Sequence, residues 1–351
     1  MSQGCRTDIE RHRLPAVPPA RPERDPDAVF AAARSAHLQM TASARLLRVP
    51  WSLAKPDEAN SQRASLIVQQ LPDEQHVLLL DSDDRCVVLI SWAPAQGTAG
   101  DYRPALRQVE DATLQLPNAC LTEIQSTRGR GFATVNVNLR PWPIHTTTNS
   151  ESWPTALLNS PQHTTPLIYG DALARLAAVA RDNLGMLSPA HLLVYDEVAQ
   201  HPELRAVRFP VKPEELRTLD SDAAARVMAR VGERGACVFD PHGGIIANVI
   251  SDATICAQHK DMRDHMYGLA SVMVHGEHFV GGALHLRELG IKVDTSDGTV
   301  VTFPARQITH GNSALLAGRR GSLVFFTSAG LIDKFSATGL SIDTFVRCTL
   351  T

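Results

Sequence analysis

The chain contains no Cys-x-x-Cys pair. Its six cysteines, Cys5, Cys86, Cys120, Cys237, Cys256 and Cys348, lie far apart along 351 residues. That spacing excludes a zinc ribbon and a disulfide framework, and it reads as free thiols in a reducing compartment. No apolar run approaches the length of a membrane span. The N-terminal MSQGCRTDIERHR is too polar for a secretory signal. The expectation is a soluble intracellular protein, nuclear or cytoplasmic, with no membrane partner and a monomeric state. An excess of basic charge is also missing: the net charge is −3 and the pI about 6.5. There is no global field to attract nucleic acid, so a nucleic-acid role needs a local basic patch. No internal repeat is evident.

What is present is globular in composition, with 44% hydrophobic and 20% charged residues, enough for one large domain or two ordinary ones. Residues 1–27 include LPAVPPARPERDPD, a Pro- and charge-rich stretch with little to bury, and a loosely attached arm is expected over about 1–45. A short helix is expected near DAVFAAARSAHLQMTASARLL. SLIVQQL, HVLLLD, CVVLISW, TEIQ and GFATVNVNL are short β-rich runs, which suggests an N-terminal α+β subdomain and connection over 46–160. RPWPIHTTTNSESWPTALLNSPQHTTP reads as a long surface connection. Helices are expected at YGDALARLAAVARDNLGML and PEELRTLDSDAAARVMARVGERG, with LLVYDEV between them as a strand. ACVFD, GIIANVI, LASVMV, GALHL, IKV, TVVTF, SLVFFT and TFVRCTL then follow as closely spaced strands. Eight strands preceded by helices suit an α+β fold. The core is a jelly roll within 161–351, carrying supporting helices and the N-terminal mixed subdomain.

The chemistry concentrates in the strand-rich half. In QHKDMRD, His259 and Asp261 lie two apart, between GIIANVI and LASVMV. On an extended backbone such residues share a side while Lys260 points away, so both can reach one metal ion. The same His-x-acid spacing recurs at His201/Glu203, read as a loop, and at His275/Glu277, read as a hairpin turn. A third ligand is available in GTVVTFPARQITHGN, where His310 follows His259 by 51 residues. Two histidines and one carboxylate form the facial set of non-haem iron sites. Ten residues beyond His310, Arg320 and Ser322 lie two apart in GRRGSLVFFT. A guanidinium and a hydroxyl on one face can clamp a carboxylate. Arg319 is a near-equivalent neighbour, separated from Arg320 only by the Arg-x-Ser phase. Gly281 and Gly282 suit a bulge or a close strand crossing.

The order His-x-Asp, distal His, Arg-x-Ser resembles the Fe(II)/2-oxoglutarate dioxygenases. HKDMRDHMYG, VHGEHFVGGALHLRELGIKV, DGTVVTFPARQITHGN and GRRGSLVFFT resemble the TET/JBP branch, in particular its compact fungal and algal members. The likeness covers about residues 236–330. It implies a double-stranded β-helix, with His259, Asp261 and His310 holding Fe(II). Arg320 would bind the far carboxylate of 2-oxoglutarate, Ser322 assisting, and O2 would be the oxidant. The substrate implied is 5-methylcytosine, or another 5-methylpyrimidine, in DNA. Phosphate contacts would come from Arg128, Arg130, Arg140, Lys260, Arg263 and Arg319. Asp264, Asn248 and Tyr267 are candidates for the substrate side.

This chain departs from the family in the paired arginines and in Gly321, where a bulky residue is common. That departure implies a widened site and leaves ascorbate open as the co-substrate. A small-molecule or protein hydroxylase on the same scaffold is the rival reading. So is a cupin-like metal protein, because GTVVTFPARQITHGN also resembles the second cupin motif; against it, no His-x-His precedes LASVMV.

Overall fold

The computed structural model describes residues 24–56, 66–114, 132–138, 171–201, 241–250 and 256–348. Helix α1 (Pro26–Ser43) is the short helix expected near the N-terminus. Asp25 caps it by accepting the Asp27 N–H, Pro26 opens its first turn, and Ala33, His37 and Met40 turn one face inward. The helical spacing of those three residues selects the buried stripe.

Six of the strands expected in the C-terminal half are present: β6 (Gly244–Ile250), β7 (Ala270–Gly281), β8 (Leu284–Leu286), β9 (Ile291–Val293), β10 (Thr299–Phe303) and β12 (Leu315–Phe326). A short β11 (His310–Asn312) precedes the last of them. They wind through two sheets. In the larger, β10 pairs β7, β7 pairs β12 and β12 pairs β6, all antiparallel. In the smaller, β11 pairs β8 and β8 pairs β9. His259 bridges His310 at the outer edge of β11. The chain thus runs from the larger sheet (β6, β7) to the smaller (β8, β9), back to β10, across to β11 and back to β12, the winding of a double-stranded β-helix with apolar side chains between the layers. The chain is α+β, as expected.

The described N-terminal strands join these two sheets. β1 (Arg45–Arg48), β3 (His76–Leu80) and β4 (Cys86–Trp92) extend the larger sheet beyond β10, and β5 (Phe132–Asn138) adds to its other end beside β6. β2 (Leu66–Val68) joins the smaller sheet parallel to β9. β4 is buried along its whole length, which is why its sequence reads as continuous hydrophobics.

Helix α2 (Arg103–Leu114) was not expected. Its signal is modest: Ala105, Leu106 and Val109 on one face, with the Asp101 carboxylate accepting the Arg103 N–H ahead of them. Helix α3 (Asp171–Leu187) is the first of the two supporting helices. LLVYDEV is helical, within α4 (Pro189–Gln200), and not a strand. Ser188 caps it, Pro189 opens it, and burial on several sides explains its unbroken apolar run. The Tyr195 hydroxyl donates to the Leu269 carbonyl at 2.9 Å and accepts its N–H at 2.8 Å, pinning α4 to the start of β7. TFVRCTL also differs from expectation over its described residues, 344–348. They continue from a 3₁₀ turn (Ile342–Thr344) and make one isolated bridge, Arg347 to Arg85, in place of a strand. The buried Phe345 meets His191 edge-on, so side-chain packing replaces a ladder. α5 (Ala329–Phe335) follows β12 directly. The expected TEIQ and ACVFD strands and the 213–235 helix lie outside the described residues. Among the described residues, no helix is long and apolar enough to cross a membrane.

Candidate metal centre

The segment 256–259 and β11 run antiparallel. The His259 N–H donates to the His310 carbonyl and the His310 N–H to that of His259, both at 2.9 Å. Gly311 permits this approach, since a side chain there would lie 2.6 Å from the Cys256 carbonyl. Asn312 secures it by accepting the Cys256 N–H at 2.9 Å. The next peptide is tied elsewhere: the Asp261 N–H donates to the Ala305 carbonyl.

These restraints bring the three expected ligands together. His259 Nε2 lies 3.5 Å from one Asp261 oxygen and His310 Nε2 lies 3.6 Å from the other. One donor atom from each residue falls within 4.8 Å of the others. Each histidine uses its Nδ1–H on a backbone carbonyl two residues earlier, His259 on Ala257 and His310 on Ile308, both at 2.9 Å. That fixes the tautomer that leaves Nε2 to a ligand-binding role. Phe303 meets the His310 ring edge-on at 4.9 Å and holds it from the sheet opposite.

Charge agrees with geometry. Burial alone would raise the Asp261 carboxyl, but His259 and His310 hold it far below the usual range. Burial alone would lower the His259 imidazole; the Asp261 carboxylate, with Cys256 and the Ala257 carbonyl, outweighs this and raises it to about 10. The cluster therefore favours a cation among its three donors. Two imidazole nitrogens and a carboxylate fit a first-row divalent ion, which displaces the proton on binding.

Ser322 pairs with Val274, and Val274 with Thr299. Alternation along β10 then places Phe303, and with it His310, on the side faced by Ser322 and Arg320. Arg320 is buried at 3% exposure, its Nε has no hydrogen-bond partner, and no carboxylate pairs with it among the described residues. Burial pushes its guanidinium down to about 10. Its side chain crosses Gly282, where a Cβ would lie 2.8 Å from Arg320 Cδ; Gly282 is also left-handed, with φ of +71°. Arg319 faces away, 54% exposed, and pairs with Glu110 of α2 at 2.7 Å. The structure therefore turns Arg319 outward and Arg320 inward.

Two expectations are corrected here. His275 and Glu277 lie on strand β7, not in a hairpin turn. The site is not widened at Gly321, because the His275 ring fills the space a larger residue would need. His275 Nδ1 in turn faces Glu110 at 3.0 Å.

Asp264 is buried, and its N–H returns to the Asp261 carbonyl at 3.0 Å. Burial, then the Asp261 charge, pushes its carboxyl well above the usual range, against Arg306. Asn248 lies opposite Ser322 in the β6–β12 register. Tyr267 is held by its backbone, accepting from His191 Nε2 and donating to His265 Nδ1. His201 caps the end of α4. Arg128, Arg130, Arg140 and Glu203 lie outside the described residues. Sequence reasoning missed Glu288 and Cys256. Glu288 grips Thr309 and faces Lys260, and Cys256 Sγ lies 3.9 Å from His259 Nδ1. Neither stands at an informative spacing from the ligands.

No protein-family profile and no curated protein matches the sequence. Distant likenesses exist among solved structures. NgTET1 in complex with 5mC DNA is 14% identical, over 88% of this chain and 92% of that one, with a TM-score of 0.46. A 2OG-Fe(II) oxygenase family oxidoreductase from Burkholderia pseudomallei is 15% identical, over 81% and 95%, with a TM-score of 0.34. OsALKBH1 is 11% identical, over 68% and 96%, with a TM-score of 0.32.

Proposed function

We propose that this protein is an Fe(II)- and 2-oxoglutarate-dependent dioxygenase, and that it oxidises the methyl group of 5-methylcytosine or another 5-methylpyrimidine in DNA. The observation that carries the dioxygenase reading is the buried Arg320, which pairs with no carboxylate among the described residues, on the sheet face that looks toward the two-histidine, one-carboxylate cluster. An uncompensated buried cation costs several kcal/mol, and a bound carboxylate removes that cost. 2-Oxoglutarate carries such a carboxylate at the end remote from its keto acid. Ascorbate carries none, so Arg320 favours the keto acid as co-substrate.

His259, Asp261 and His310 would hold the iron through two Nε2 atoms and one carboxylate. When bound, ferrous ion with the keto acid activates O2 for C–H oxidation. Arg320 orients the co-acid, and Ser322, two residues along the same strand face, adds a hydroxyl to that grip. Phe303 supplies an apolar wall beside His310 that excludes water. Asp264, buried behind Asp261, and Asn248, opposite Ser322, are the positions proposed toward the substrate, with Tyr267 at the outer turn.

DNA as substrate rests on the resemblance of HKDMRD and FVGGALHL to the TET/JBP branch, and it requires the base to leave the stack. One observation favours the rival, a small-molecule or protein substrate. Among the described basic candidates, Lys260 and Arg319 are already paired with Glu288 and Glu110, which leaves the exposed Arg263. Succinate release with 2-oxoglutarate, and with ascorbate in its place, tests the co-substrate. Mass spectrometry of a 5-methylcytosine oligonucleotide tests the substrate. Turnover of 2-oxoglutarate with every methylated oligonucleotide untouched retains the dioxygenase and discards the DNA reading. No succinate from 2-oxoglutarate discards both.

A further inference from the structure

Glu288 sits in the turn between β8 and β9, closed by the Gly290 N–H on the Arg287 carbonyl. Its carboxylate is buried at 6% exposure. One oxygen accepts the Thr309 backbone N–H at 2.6 Å, and the other accepts the Thr309 hydroxyl at 2.6 Å. The Thr309 carbonyl is also held, by the Arg287 N–H at 2.9 Å. The residue immediately before His310 is thus gripped at its donor, its hydroxyl and its acceptor. The same carboxylate lies 3.4 Å from Lys260 Nζ. Lys260 stands between His259 and Asp261 and reaches to this carboxylate.

We propose that Glu288 is a positioning residue of the metal centre: a single buried carboxylate that ties the His259–Asp261 segment to the His310 segment and sets the spacing of the three ligands. This inference rests on the metal reading above. Glu288 touches none of the ligand side chains and acts only through their chain neighbours. The two segments meet at the His259–His310 backbone pair, and a brace on the far side of that pair resists their hinging apart. A buried carboxylate that accepts backbone and hydroxyl donors is a strong restraint, because charge-assisted hydrogen bonds are about twice as strong as neutral ones.

The test is titration of the metal-free 351-residue chain with Co(II), followed by calorimetry and by the visible bands of bound cobalt, beside circular dichroism of the same samples. Glu288→Ala is expected to weaken Co(II) binding by roughly 10–100-fold, the range for residues that orient metal ligands, and to shift the cobalt bands. Glu288→Gln keeps an acceptor for Thr309 and is expected to recover part of the affinity. If Glu288→Ala does not fold, Glu288→Gln and Thr309→Val carry the test, each with a smaller loss of affinity and a shifted spectrum. Folded variants that bind Co(II) with wild-type affinity and an unchanged spectrum overturn the proposal. Wild-type protein that binds no Co(II) overturns the metal reading itself, and this inference with it.

Discussion

Gly321 and His275 face each other across the β7–β12 ladder, and the imidazole occupies the volume that any side chain at 321 would take. The glycine therefore leaves no opening beside Arg320. It is a seat for a histidine that is itself paired with Glu110 of α2.

Gly321→Ala is expected to destabilise the protein by about 1–3 kcal/mol, the usual cost of overpacking a buried position. The added methyl overlaps the His275 ring, and the ring is hemmed in by Glu110. Urea denaturation checks this. In the Gly321→Ala/His275→Ala double variant the two changes should combine non-additively, because the second creates room for the first.

Arg320→Met should leave the ligand-free protein as stable as the wild type, or raise its thermal midpoint by a few degrees, since it removes a buried charge that has no counter-ion among the described residues. The same change should abolish saturation by 2-oxoglutarate in the succinate assay. Arg320→Lys should recover only part, because an ammonium lacks the two-pronged fork. A large drop in the midpoint of Arg320→Met would show that the guanidinium has a structural partner.

His259→Ala and Asp261→Ala should each reduce bound divalent metal to background in elemental analysis of metal-loaded protein, with the circular dichroism spectrum retained. Two remaining donors hold a labile first-row ion poorly. Unchanged metal content in both variants would refute the ligand assignment.

His191 provides a pH test away from the metal. Burial lowers its imidazole from 6.5 to about 4, against the Tyr267 carbonyl, which accepts its Nε2–H at 2.8 Å. Between pH 6.5 and 4 the unfolded chain takes up a proton there and the folded chain does not. Stability from this group is therefore full above pH 6.5 and falls as pH drops toward 4, by on the order of 3 kcal/mol. His191→Gln should flatten the denaturation midpoint across that window. An equal slope in wild type and variant would refute the assignment.

The sequence by itself determined the features that depend on short-range alternation. His259 with Asp261, and Arg320 with Ser322, share a side because residues two apart on an extended chain must do so. The order of six C-terminal strands, β6 to β10 and β12, was likewise legible, because turn residues separate short apolar runs. Tertiary structure alone decided which side became the interior. Arg319 and Arg320 are chemically alike, and only α2, placing Glu110 against one face, turns Arg319 outward and Arg320 inward. LLVYDEV has the composition of a strand, yet Ser188 and Pro189 start a helix there, and packing on several sides accepts its apolar residues. Gly321 suggested space until His275, 46 residues earlier in the chain, was folded against it. Glu288 carries no local signal at all. Its importance arises only where the β8–β9 turn meets Thr309 and Lys260, because a carboxylate gains its strength from the buried donors that long-range folding brings to it.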